Sequence, residues 1–311
     1  MKKNLFIFLF LIAILSINVL AKTYDDADKL YQKGKYQEAY DIYKELLQGE
    51  EDNEIRFKSF YRAAECLAYL YRYGKATDLV INTKIPDDLE YKARFLILRS
   101  ELLQNFIKQY SSIMSKDIIE DDTEQDVFSL TESEIENIIR ESYKSLWGLR
   151  YVLVSMKLED ENFYLDVKNT DFGRFPTLFD YVSMRWISYL KQKSKSTFLD
   201  AFDLLKDKDT VILRDDLSDV EKIVAIMRIS ETYMVHKRLE ASERWKIERM
   251  KFPLYSNYFK YDAEKYKDML IKRLLESVDE FKTDTASAQS GFEAASLENG
   301  RGNYVKAVEI C

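Results

Sequence analysis

The sequence predicts an all-α protein built of antiparallel helical hairpins stacked as a solenoid, and three observations carry the prediction. Only 8 Gly and 3 Pro occur in 311 residues, too few for the closely spaced turns of an all-β sandwich. Apolar residues recur with the helical period on both sides of a short break at Lys33-Gly34-Lys35. The small residues around that break return at a fixed offset of 37 positions, the distance from Ala27 to Ala64 and from Ala39 to Ala76. Hydrophobic residues make up 46% of the chain, enough for a sizeable core. The 22 Tyr and 18 Phe are expected mostly between helices, as large packing groups. A net charge of −7 leaves no Lys/Arg excess to neutralise phosphates, so no nucleic-acid partner is expected.

Residues 1–21, MKKNLFIFLFLIAILSINVLA, place Lys2 and Lys3 before an apolar run and end on Val19-Leu20-Ala21. That order is the plan of a secretory signal peptide, with cleavage expected after Ala21. An uncleaved anchor is the competing reading, although the run from Leu5 to Leu15 is short of the ~20 residues of a span. The expected mature protein is exported, to the periplasm or cell envelope, with no membrane span after cleavage. Only Cys66 and Cys311 are present, which excludes a disulfide framework. Cys66, within AAECLAYL, reads as a small buried hydrophobe.

Residues 22–112 read as helical hairpins. Ala27, Leu30 and Tyr31 share one helix face, and Tyr36, Ala39, Tyr40, Tyr43 and Leu46 share the next. Gly34 suits the left-handed end of the first helix, and Ala39 lets two helices approach closely. The segment FKSFYRAAECLAYLYRYGKATDLVIN repeats the scheme, with Tyr71 where the glycine belongs and Gly74 displaced. Pro86 followed by Asp87, Asp88 and Glu90 predicts the start of a further helix. Residues 113–130 are expected to form an acidic loop, exposed over 115–126. The region 131–285 is helical but divergent. It opens on the capping signature Thr131-x-x-Glu134 of a helix expected to reach Met156. A turn cluster follows at 169–176, then the helix PTLFDYVSMRWISYLKQ. Further helices are predicted at 196–205, 218–236, 238–250 and 257–282. In 286–311 the hairpin returns, with Ala295, Gly302, Tyr304 and Ala307 at the internal spacing of Ala27, Gly34, Tyr36 and Ala39. Its last helix is so short that the sequence is expected to be a piece of a longer protein.

Few constellations suggest chemistry. His236 is the single histidine, so Ser-His-Asp, Cys-His and His-rich metal sites are excluded in their usual forms. Its place in YMVHKR suits a helix end. GRGNY lacks the spacing of a phosphate loop, and DDTEQD lacks the glycine and closing glutamate of an EF-hand. The pairs Asp121/Asp122 and Asp215/Asp216 leave a two-carboxylate hydrolase on a helical scaffold as a rival reading. No catalytic residue, cofactor or metal ligand is expected.

The core A-x6-G-x-Y-x-x-A, matched by Ala27, Gly34, Tyr36 and Ala39, resembles the tetratricopeptide repeat. Such arrays hold extended peptides on a concave face lined by the first helix of each pair. The resemblance implies a partner-binding set of Tyr24, Asp28 and Gln32, continued in the second pair by Tyr61, Glu65 and Tyr69. An aromatic beside a carboxylate can stack on a partner and pair with its basic group. The competing reading has these tyrosines packed inward and the acids facing water. LYQKGKYQEAYDIYKELL, PTLFDYVSMRWISYL and the returning GNYVKAVEIC also resemble the amino-terminal region of bacterial alpha-2-macroglobulin-like proteins. That family's thioester motif, Cys-x-Glu-Gln, is not visible here. The expectation is an exported, non-catalytic module that binds a protein or peptide, as the front piece of a larger envelope protein. A self-contained scaffold for envelope assembly is the alternative.

Overall fold

The computed structural model describes residues 23–49, 52–114, 127–194, 199–207, 211–282 and 284–310. The predicted leader, the acidic stretch 115–126 and Cys311 lie outside them. The described residues are all-helical: thirteen α-helices with short 3₁₀ turns, no strand, and two isolated bridges, Lys157–Thr177 and Leu199–Phe259. None of these helices is long and apolar enough to cross a membrane. The chain divides into two compact units, Met1–Gly148 and Leu149–Cys311.

In the first unit α1 (Tyr24–Gln32), α2 (Tyr36–Gly49), α3 (Asn53–Tyr69), α4 (Tyr73–Asn82), α5 (Leu89–Met114) and α6 (Glu132–Gly148) each pack on the next. Thr23 opens α1 with a reciprocal capping box to Asp26, and Asp52 caps α3. The corner after α1 is a Schellman turn: Gly34 N–H donates to the Tyr31 carbonyl and Lys35 N–H to that of Leu30. After α3 the same turn recurs, with Tyr71 N–H donating to Ala68 and Arg72 N–H to Leu67. Gly34 has φ 72° and Tyr71 has φ 58°, so a tyrosine holds the left-handed position that the sequence lacked a glycine for. Gly74 is instead buried in α4, where an added Cβ would stand 2.7 Å from Phe128 Cε2. Ala27, Ala39, Ala63 and Cys66 are fully buried at the meeting of α1, α2 and α3, with Ile42 and Tyr43. Cys66 is a free, buried thiol, as its apolar surroundings predicted.

Three expectations for this unit are corrected. The helix assigned to Pro86 starts later, at Leu89, because Asp88 Oδ1 accepts from the N–H groups of Glu90 and Tyr91 and so sets the cap. The acidic loop assigned to 113–130 is shorter: 113 and 114 belong to α5 and 127–129 form a 3₁₀ turn, with Val127 fully buried and its N–H donating to Asp78 Oδ1 at 2.7 Å. The helix from Thr131 stops at Gly148 rather than Met156, glycine being a poor helix residue, and a short helix begins at Arg150.

The second unit contains α7 (Arg150–Ser155), α8 (Leu178–Lys193), α9 (Asp219–Val235), α10 (Leu239–Lys251), α11 (Ala263–Phe281), α12 (Thr285–Gly300) and α13 (Tyr304–Ile310). Neighbours α8/α9, α9/α10, α11/α12 and α12/α13 pack together, and α12 also lies on α10. The hairpin joining α12 to α13 repeats the corner of the first unit: Gly302 has φ 80° and donates to Asn299, while Asn303 donates to Glu298. His236 forms the C-cap of α9, at the predicted helix end.

Two predicted helices shrink. Of the predicted 196–205, residues 196–198 lie outside the described ones, and 201–205 form a 3₁₀ turn capped by Asp200. Of the predicted 257–282, the start to Asp262 is not helical: Phe259 bridges to Leu199, and Asp262 caps α11 through the N–H groups of Glu264 and Lys265.

Candidate partner-binding face

Two helices build the face that the tetratricopeptide resemblance singles out. Thr23 and Asp52 fix the starts of α1 and α3, and the left-handed residues Gly34 and Tyr71 fix their ends. The helices meet through a polar contact: Tyr31 Oη donates to Glu65 Oε2 at 3.2 Å. Arg62 Nη1 donates to the same oxygen at 2.6 Å, and its guanidinium lies 4.3 Å from the centre of the Tyr31 ring.

Electrostatics mark this cluster. Burial pushes the Glu65 carboxyl above its ordinary range and outweighs the opposing pull of Arg62. Burial likewise raises the Tyr31 hydroxyl, reinforced by the charge of Glu65. The same contacts hold the Arg62 guanidinium above its ordinary range despite burial, so the attraction between the two charges offsets part of their desolvation.

The predicted residues divide by burial. Asp28 is half-buried and Gln32 exposed on α1, while Glu65 is half-buried on α3. Tyr69 is 53% exposed, its ring stacked on that of Tyr36 at 4.7 Å. Tyr24 leans inward, its ring 5.6 Å from that of Tyr43, and burial pushes its hydroxyl up to about 12. Tyr61 is only 3% exposed and belongs to the core. Sequence reasoning passed over Arg62, although its place three residues before Glu65 is an ion-pair spacing on a helix.

A cleft of ≈ 640 Å³ lies in the second unit, lined in part by Leu204, Val211, Ile212 and Val224. Its polar groups serve the fold. Arg228 donates to the Lys206 and Asp203 carbonyls, Asp200 caps the turn at Ala201, and Glu221 caps α9 with Ser218. Arg214 pairs with Asp216, one of the carboxylates considered for hydrolysis. Among the described residues no group of His, Cys, Asp or Glu is placed to hold a metal ion.

No family model, no curated protein and no solved structure matches this chain.

Proposed function

We propose that the chain is a non-catalytic, tetratricopeptide-like interaction module that holds an extended polypeptide against the face shared by α1 and α3. The observation that carries the proposal is the equivalence of the two hairpins. Schellman corners at Gly34 and Tyr71 lie 37 positions apart, like Ala27 and Ala64, so Asp28 and Glu65 fall in one row and Gln32 and Tyr69 in another. A row of acids beside a row of hydrogen-bonding and aromatic groups suits a segment with a basic residue next to an apolar one. Within this set Glu65 with Arg62 supplies the directed charge, and Tyr61 supports the face from beneath. The leader-like composition of residues 1–21 supports an exported module at the cell envelope as part of this proposal.

Site-specific photo-cross-linking in the producing cells tests the reading. A photoreactive residue replacing Gln32 is expected to form one discrete adduct, and one replacing exposed Lys44 on α2 is expected to form none. Adducts from both positions, or from neither, refute the assignment of the face.

A further inference from the structure

We propose that the turn edge of the first unit, centred on Tyr71, is a second docking surface, one that takes an acidic polypeptide segment. This surface lies at the corner that follows α3, and its argument does not depend on the α1/α3 reading. Tyr71 occupies the left-handed conformation that Gly34 and Gly302 occupy in the equivalent corners, and there a glycine is free of strain. Yet the tyrosine side chain gains little inside the fold in return: it is 79% exposed and touches the Tyr73 ring edge-on, 6.2 Å between centres. A strained residue whose side chain points into water has its use outside the molecule.

The surroundings identify the partner. Arg72 Nη1 donates to Gln37 Oε1 at 2.8 Å, which draws the second corner against the start of α2, next to the first corner. Exposed Lys33 and Lys35 flank the first corner and exposed Arg72 and Lys75 the second, with Lys35 engaged by Glu38 and the Gln37 amide donating to Asp41. This edge is cationic on a chain whose net charge is −7, so it attracts acidic segments selectively. In the described part of this unit the exposed large hydrophobics are Tyr69, Tyr71 and Leu89. Among the described residues the edge exposes tyrosine and no large aliphatic or tryptophan side chain to enter a bilayer, which favours a polypeptide over a lipid surface. Tyrosine rings cover a peptide backbone at low entropic cost, and the lysines and Arg72 pair with its carboxylates.

The test is a display library of twelve-residue peptides, selected on the full chain and then measured on Tyr71→Gly and on an Arg72→Gln/Lys75→Gln double variant. The expected result is an Asp/Glu-rich consensus whose binding weakens with salt and falls at least tenfold on each variant. Tyr71→Gly should melt no lower than the parent chain. An empty selection, a consensus without acids, equal binding to Tyr71→Gly, or a lower melting temperature in that variant each overturns the proposal. Tyr71-dependent binding to phosphatidylglycerol vesicles, with no acidic peptide selected, overturns it in favour of a lipid surface.

Discussion

Tyr71 sits at φ 58°, a conformation that costs an L-residue about 1–2 kcal/mol and costs glycine nothing comparable. Tyr71→Gly should therefore stabilise the chain by about 0.5–1 kcal/mol, part of the gain being lost to the greater freedom of glycine in the unfolded state. Urea unfolding of the two proteins measures the difference. Gly34→Ala should do the opposite and cost about 1 kcal/mol, since an added Cβ meets nothing within 4 Å and the penalty is conformational. Cys66 is fully buried, and burial pushes its thiol up to about 12. Thiol reagents at neutral pH should leave it unlabelled in the native protein and label it in urea, with mass spectrometry locating the modification. The glycine corner was legible because glycine announces a left-handed residue, whereas a tyrosine there gives no warning. Tyr61 misled for a different reason. Among the described residues helix α3 packs against α1, α2, α4 and α5, and α1 packs chiefly against α2, so the position equivalent to Tyr24 is enclosed in the second pair.

Helix ends and one arginine staple dominate at the scale of elements. Hydrogen bonds from Thr23, Thr131 and Ser218 hold the carboxyls of Asp26, Glu134 and Glu221 below their ordinary range. A depressed carboxyl pKa stabilises fully above the unfolded value, about 4, and that contribution disappears as pH falls through the lower folded value. Urea midpoints measured from pH 5 to 3 should fall less steeply for Glu134→Gln than for the parent. In the second unit Arg244 lies between the rings of Phe175 and Trp245, 4.2 and 3.9 Å from their centres. It donates to Asp180 Oδ1 at 3.2 Å and to the Arg174 carbonyl at 2.9 Å, both charges being almost wholly buried. Arg244→Met should cost about 3 kcal/mol, because Asp180 keeps its burial and loses its counter-charge. Asp180→Asn combined with Arg244→Met should recover most of that loss in the same unfolding measurement. The capping boxes were readable from Thr131 and Glu134, but the staple was not, since it joins residues 64 positions apart.

At the scale of the whole molecule, each compact unit closes its own core, and hairpin corners of one design occur in both. Helical class and the flanking hairpins were legible because their period and small residues are local signals. The middle was less so: Ala201, Leu204 and Leu205 have helical spacing, yet they belong to a 3₁₀ turn in which the Asp203, Leu204 and Lys206 carbonyls accept from Arg228 and Arg249. No local pattern reports such long-range support. The row of Asp28 with Glu65 came through the repeat register, while Arg62 became part of the site only once Tyr31 was placed beside it. Hydrogen–deuterium exchange of the full chain, alone and with the partner captured at position 32, tests the central claim most directly. The account predicts added protection within 24–32 and 53–69 and none around the cleft at 211–225. Protection confined to the cleft, with α1 and α3 unchanged, would contradict it.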